Sequence, residues 1–232
     1  MYYAVFRINK MAINIARHSI LGTFLEGEVE EHIIELDHTT DLIVDPGGLN
    51  YLSASGRFWR YIYSPEKASS ASGALYKMLG ITKFPRDINR TIKKEGDMIK
   101  YHYTDNDFNT WTVLHVASYD FRSSFSFGPS DEEKEKDEHK LSITYAKVFN
   151  EALKTDKTRI LIPIVSGSIM AGVYKDNIFE MTTNAINLAV QNVGAQRLTR
   201  SGKKFYLCTY TKKEYDEIVS NMNTEYPSSE SD

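Results

Sequence analysis

The sequence predicts a three-layer α/β/α sandwich on a mixed central sheet, and three features of its 232 residues predict it. Short apolar runs recur at 41–45, 159–165 and 204–210, as strands buried on both faces require. Stretches of helical spacing alternate with them, with apolar residues at Leu141, Tyr145, Val148, Phe149 and Ala152, and again at Ile186, Val190 and Val193. The first two runs end in glycine-bearing turns, Pro46-Gly47-Gly48 and Ser166-Gly167-Ser168, so each strand exits into a tight loop before a helix.

Composition narrows the class. Hydrophobic residues make up 41% and charged residues 25%, which fits one well-buried core and not a disordered chain. The net charge of −3 gives no general attraction to polyanions, and the basic clusters that stand out are short, such as Lys93-Lys94 and the stretch 197–204. Cys208 is the single cysteine, which rules out an intrachain disulfide and a thiolate metal cluster and fits a reducing compartment. No window approaches ~18 uninterrupted apolar residues, so the expectation is a cytoplasmic or nuclear protein with no membrane partner.

Taken in order, residues 1–8 have the aromatic and β-branched content of a strand, and two more candidates lie at 20–25 and 32–36. Residues 50–63 read as an aromatic-rich helix. Residues 68–79 read as another, with Ser69, Ser70 or Ser72 as caps and Gly80 as its stop. The runs 98–103 and 110–117 flank Thr104-Asp105-Asn106-Asp107, which is turn chemistry, and form a hairpin. The acidic run 131–138 is the solvated start of a helix, where carboxylates favour the positive dipole end. Helix 141–153, strand 159–165, helix 179–193, strand 204–210 and a helix over 212–222 capped by Thr211 complete the series. The domain spans 26–222, with 1–25 as an N-terminal extension or edge element and 223–232 as a frayed, disordered polar tail.

In an open α/β sheet, ligands bind beyond the carboxyl ends of the strands, where loops and helix N-termini converge. Two exits carry glycines and small hydroxyl residues there: Asp45, Pro46, Gly47, Gly48, Leu49 and Asn50, and then Ser166 through Tyr174. Such loops let backbone N–H groups approach an anion, and a diphosphate is the natural guest. Glycines at either exit alone also serve a plain βα turn; two such exits in one domain favour a phosphate-bearing ligand.

From about residue 41 to residue 219 the order of elements resembles a macrodomain, the fold that binds ADP-ribose. In that family a strand ends in an Asn-Ala-Ala-Asn type loop, followed by a glycine-rich segment and a helix. Here Val44 to Asn50 takes that place, with Asp45 and Gly48 where the two asparagines would be. Ser53-Ala54-Ser55-Gly56, or alternatively Ser70-Ala71-Ser72-Gly73-Ala74-Leu75, stands for the glycine-rich segment. Val113-Leu114-His115-Val116-Ala117 resembles the family's histidine-bearing strand, and Leu161 to Gly172 its second phosphate loop. Phe205 to Tyr210 with Thr211, Glu214 and Tyr215 resembles the closing strand and helix. Glu26-Gly27-Glu28-Val29 is a fainter echo of the segment whose acid holds the adenine amine.

The resemblance implies binding of ADP-ribose, free or on an ADP-ribosylated protein, with no further cofactor and no metal. Ser166, Gly167, Ser168, Ile169, Met170, Ala171 and Gly172 would cradle the diphosphate and distal ribose, Gly47 and Gly48 would border it, Tyr174 would close over the ribose, and Glu28 would meet the adenine. If chemistry is retained, it would be hydrolysis of ADP-ribosyl groups or of ADP-ribose derivatives, with Asp45 and Asn50 as the catalytic candidates. The departures weigh against turnover: Gly48 has no side chain to contact the ribose, and an unpaired Asp45 would repel a dianion. The alternative is a macro-like interaction or RNA-binding module without nucleotide binding. Trp59, Phe58, Tyr61 and Tyr63 would stack on an adenine or on exposed bases, or form a packed helix face. His115 reads as a half-buried strand residue with one hydrogen bond. Ser166 lacks the Gly-x-Ser-x-Gly elbow of a serine hydrolase.

Overall fold

The computed structural model describes residues 13–54, 57–122 and 128–225. Its centre is a six-stranded mixed sheet in which β1 (Ile13–Ala16), β8 (Lys204–Cys208), β7 (Arg159–Ile162), β4 (Asp41–Asp45), β6 (Thr110–Val116) and β5 (Met98–Thr104) lie side by side in that order. The pairings are parallel except β5 with β6, the hairpin read from the Asp105 turn. The three apolar runs 41–45, 159–165 and 204–210 thus supply neighbouring strands. A separate hairpin, β2 (Thr23–Glu26) and β3 (Val29–His32), stands beside the sheet.

Alternation along the strands divides the core into two layers. Leu42, Val44, Leu114, Ile160, Ile162 and Phe205 face α5 (Asp131–Leu153), α6 (Ile178–Val193) and α8 (Lys212–Glu225). Ile43, Val113 and Leu161 face the other way, against α3 (Ser70–Met78) and α4 (Arg86–Thr91) through Leu75, Tyr76, Leu79 and Ile88. The expected 131–138 helix start and the 141–153 helix are one 23-residue helix. Ser130 caps it and Glu133 closes the capping box, so orphan backbone donors on both sides of the first turn are satisfied.

Several boundaries differ from the sequence reading. β7 stops at Ile162 because Pro163 has no N–H to give the ladder. Residues 50–63 form two short helices, α1 (Leu49–Leu52) and α2 (Arg57–Ile62), in place of one. The hairpin strands sit at 23–26 and 29–32 in place of 20–25 and 32–36, with Gly27 in the left-handed region at their turn. The strand expected at 1–8 lies outside the described residues, as do 226–232; an edge strand lies at Ile13–Ala16, within the 1–25 extension or edge element, although no strand was read at those residues. Nor was α4 or α7 (Ala195–Arg200) read in the sequence. Among the described residues, no helix is long and apolar enough to cross a membrane.

Candidate functional site: a cleft at the carboxyl ends of four strands

A cleft of about 850 Å³ opens where β8, β7, β4 and β6 end. Gly48 and Asn50 of the first loop line it, as do Ser166, Gly167, Ser168, Ile169 and Met170 of the second. Ser69, Ser70, Ala71 and Ser72 bring the N-terminus of α3 to its wall. Of the two candidates for the glycine-rich segment, 70–75 brings Ser70, Ala71, Ser72 and Ala74 to the cleft, while Ser55 and Gly56 of the other lie outside the described residues. Gly73 is needed there, because a Cβ would lie 2.2 Å from the Ala68 carbonyl oxygen.

The exit of β6 stitches the two loops together. Ser118 N–H donates to the Gly47 carbonyl at 3.0 Å and its hydroxyl to the Pro46 carbonyl at 3.0 Å. One residue on, Tyr119 N–H donates to the Ser166 hydroxyl at 2.9 Å, and Phe121 N–H reaches the Met170 carbonyl at 3.0 Å. Across this bracket the loops nearly touch: a Cβ on Gly48 would sit 2.9 Å from the Met170 methyl.

The backbone lining the cleft is strained. Among the described residues, four other than glycine have positive φ, and three of them, Ser70, Ser166 and Ser168, line the cleft. Each such conformation costs on the order of 1–3 kcal/mol and persists only where surrounding contacts over-determine it, which is a property of ligand clamps. Around Gly167 (φ −73, ψ −178) the two left-handed serines turn the chain sharply over the cleft.

Asp45 is not in the cleft. It is fully buried beneath the first loop, where it accepts from Ser72 Oγ, Tyr76 Oη and His115 Nδ1, each at 2.6 Å. His115 is fully buried too, and its Nε2 lies 2.8 Å from Tyr103 Oη. Nδ1 thus faces the Asp45 carboxyl and Nε2 the Tyr103 hydroxyl, so both ring nitrogens are engaged. Burial, and then the Asp45 charge, push the Tyr76 and Tyr103 hydroxyls well above the ordinary tyrosine value, so both stay protonated donors. The charge expected to oppose an anionic ligand is satisfied internally. It clamps the first turn of α3 to β4, β5 and β6, and in this position Asp45 cannot touch a substrate. The half-buried His115 with one bond is likewise corrected to a buried one with two.

Other expected site residues also sit elsewhere. Tyr174 is 2% exposed, and its hydroxyl donates to Asp137 at 2.9 Å in a separate pocket of about 260 Å³, so it does not close over the cleft. Gly172 (φ +52) packs against the Phe121 carbonyl, where a Cβ would come within 2.0 Å, and neighbouring Ala171 is buried. Their loop continues away from the cleft as a 3₁₀ turn, Ser168–Tyr174. Gly47 packs on Leu52 and Tyr76 below the floor. Glu28 is exposed at the β2–β3 turn; the hairpin acid that lines the cleft is Glu30.

Sequence reasoning gave no place in the cleft to five lining residues that bear charge or hydrogen bonds, Glu30, Glu95, Asp120, Arg122 and Tyr210. Arg122 is the one cation that lines the cleft among the described residues, and Asp120 holds it with two hydrogen bonds. Glu95 accepts from Asp120 N–H, and Tyr210 projects half-exposed from the end of β8 with its hydroxyl bonded to Glu30. Nothing local marks these positions; the sheet order and the docking of the β2–β3 hairpin beside Thr211 bring them together.

Fold and cleft together describe a three-layer α/β/α domain with a cleft at its strand ends, and the comparisons with known proteins narrow the fold to that of the macrodomains. The Oceanobacillus iheyensis macrodomain with ADP is similar at 14% identity and TM-score 0.52 over 95% of each chain. A point mutant of it with ADPR gives 15% and 0.50, covering 95% of this chain and 97% of that one. The Trypanosoma brucei macrodomain in complex with ADP gives 14% and 0.53, over 92% of this chain and 70% of that one. A longer alphavirus chain, P23pro-zbd, is similar at 15% identity and TM-score 0.47, and this protein spans 22% of it. No family model and no curated protein sequence matches.

Proposed function

We propose that the cleft binds ADP-ribose or a closely related nucleotide diphosphate, and that it holds this ligand better than it hydrolyses it. The observation that carries the reading is the convergence of two strand-exit loops, strained at Ser166 and Ser168, with the N-terminus of α3 on one cleft at the strand ends. Backbone N–H groups and a helix dipole are the donors that a diphosphate needs. The macrodomain fold supports the same ligand, since the O. iheyensis structures hold ADP and ADPR.

On this reading the parts of the ligand follow the chemistry of the lining. Gly167 and Met170 spend their N–H groups on the Ile164 and Gly167 carbonyls, so Ser166, Ser168 and Ile169 would offer theirs to the diphosphate, with Arg122 beside it as counter-charge. Tyr210 offers a ring to the base, and Glu30, already bonded to the Tyr210 hydroxyl, offers an acceptor to an exocyclic amine. The lining carboxylates are engaged: Glu214 takes the Tyr210 and Thr211 amides, Glu95 takes Asp120 N–H, and Asp120 holds Arg122.

Turnover is expected to be slow. Hydrolysis needs donors aimed at developing charge, and losing one costs about 10²–10³ in rate. With Asp45 sequestered and Gly48 lacking a side chain, Asn50 is the remaining candidate from the first loop for contacting the ribose. Titration calorimetry with ADP-ribose, beside release of ADP-ribose from a modified protein, tests both halves. Binding with little release is expected. No heat at about 1 mM ligand, where binding is worth only about 4 kcal/mol, would overturn the binding assignment. Rapid release would overturn the catalytic one.

A further inference from the structure

Charge is distributed unevenly along this chain. Residues 57–94 hold nine basic residues against two acidic ones, Glu66 and Asp87, a balance of +7. The rest of the chain holds nineteen basic against twenty-nine acidic residues, or −10, and the two halves make the total of −3. In the fold α3 and α4 of this segment cover one face of the sheet, and the 3₁₀ turn Pro65–Lys67 ties α2 to them through the Lys67 Nζ bond to the Tyr61 carbonyl. The acidic first turns of α5 belong to the opposite face. Lys77, Lys83, Arg86, Arg90, Lys93 and Lys94 are all exposed, and none of them forms an ion pair among the described residues. The cations are spread through the segment and not clustered, so a search for adjacent lysines and arginines passes over them.

The same segment carries an exposed aromatic ladder. Trp59 stacks on Tyr63 with ring centroids 5.9 Å apart and planes 12° from parallel, yet Trp59 remains 53% exposed. Phe58 packs edge-on against Trp59 and is 67% exposed. Tyr63 meets Tyr51 edge-on, and both rings line the cleft, so the ladder runs from the cleft rim to solvent. Arg60 beside it keeps a buried Nε with no partner among the described residues. The six residues of α2 put these rings outward, where they add nothing to either core cluster.

We propose that this segment binds single-stranded nucleic acid, with bases stacking on Trp59 and Phe58 and the cations of α3 and α4 taking phosphates. Flat exposed rings and, on the same segment, basic side chains outside any ion pair supply the stacking platform and electrostatic track that single strands use. A duplex keeps its bases stacked internally and has no use for the ladder. The site adjoins the nucleotide cleft but does not depend on it, so either assignment stands if the other fails.

The experiment is a titration with fluorescently labelled ten-nucleotide single strands, RNA in one arm and DNA in the other, followed by anisotropy. Intrinsic fluorescence is read alongside. The two tryptophans are Trp59 and Trp111, and Trp111 is buried with its Nε1 bonded to Asp105, so quenching reports Trp59. Binding should weaken with salt by a slope of about −0.7 for each phosphate contacted. Trp59→Ala should weaken it about five- to a hundred-fold. The triple variant Lys83→Glu, Arg86→Glu, Arg90→Glu should abolish it, with melting and ADP-ribose affinity unchanged in both variants. Binding equally tight in either variant, a preference for duplex, or binding only to vesicles of anionic lipid would overturn the proposal. So would no binding at low salt.

Discussion

His115 and Asp45 lie opposite one another on adjacent parallel strands and share a 2.6 Å hydrogen bond, with neither side chain exposed to solvent. Register places them together, and Ser72, Tyr76 and Tyr103 then complete a closed polar cluster under the cleft. The cluster fixes where α3 begins, and through α3 it fixes one wall of the site.

Removing the acceptor at the centre should therefore be expensive. Asp45→Ala leaves three buried donors unpaired and is expected to destabilise the fold by about 3–5 kcal/mol in urea denaturation. Asp45→Asn keeps the shape, and the His115 ring can exchange tautomers to accept from the new amide, so about 1–3 kcal/mol is expected. An alanine variant as stable as the parent would refute the structural role.

Tyr174 tests the boundary of the site. Its hydroxyl serves Asp137 in the smaller pocket, and its ring packs edge-on to Phe121 at 5.1 Å. Tyr174→Phe removes one hydrogen bond, worth about 1 kcal/mol, and should leave ADP-ribose affinity as it was. A tenfold loss of affinity at unchanged stability would return Tyr174 to the ligand.

Stability should fall with acidity in a defined window. Burial holds His18 below its usual value of 6.5, and the bond from its ring to the Ser19 carbonyl offsets this only in part. Arg159 and Asp41 act on it in opposite directions. As pH drops through about 6.5, the unfolded chain takes up a proton that the folded chain resists. The contribution of His18 is thus complete above that pH and lost progressively below it. Unfolding measured at pH 7.5 and 5.5 should show this decline, and His18→Gln should flatten it. An equal decline in the variant would assign the effect to other groups.

The sheet was legible in the sequence because its central strands are continuous apolar runs, and buried parallel strands admit little else. The hairpin was legible because Asp105 and its neighbours are turn chemistry. What escaped was set by tertiary contact. Ile13–Ala16 is too short to read as a strand and becomes one by pairing with Phe205–Cys208. Of the candidate site, the second loop was found as far as Met170, because a glycine after a buried strand is a local signal. Beyond Met170 the same signal misled: Gly172 is a glycine for the sake of the Phe121 carbonyl, not of a phosphate. Asp45 was placed correctly at the strand end, but no sequence pattern reveals that Ser72, Tyr76 and His115 converge on it from two other elements. Arg122 and Tyr210 reach the cleft through strand order, and Glu30 through the separate hairpin, which bridges to Thr211 at Leu25.

The most direct test of the account is amide hydrogen exchange with and without ADP-ribose. The ligand should slow exchange at Ser166 to Met170 and at Gly48 to Asn50, the residues whose backbone lines the cleft. It should leave Ala171 to Tyr174 and the acidic start of α5 at 131–138 unchanged, because the first turns away against Phe121 and the second lies at the other pocket. Protection spread evenly over the chain, or centred on Tyr174 with none at Ser166 to Met170, would contradict the cleft as the nucleotide site.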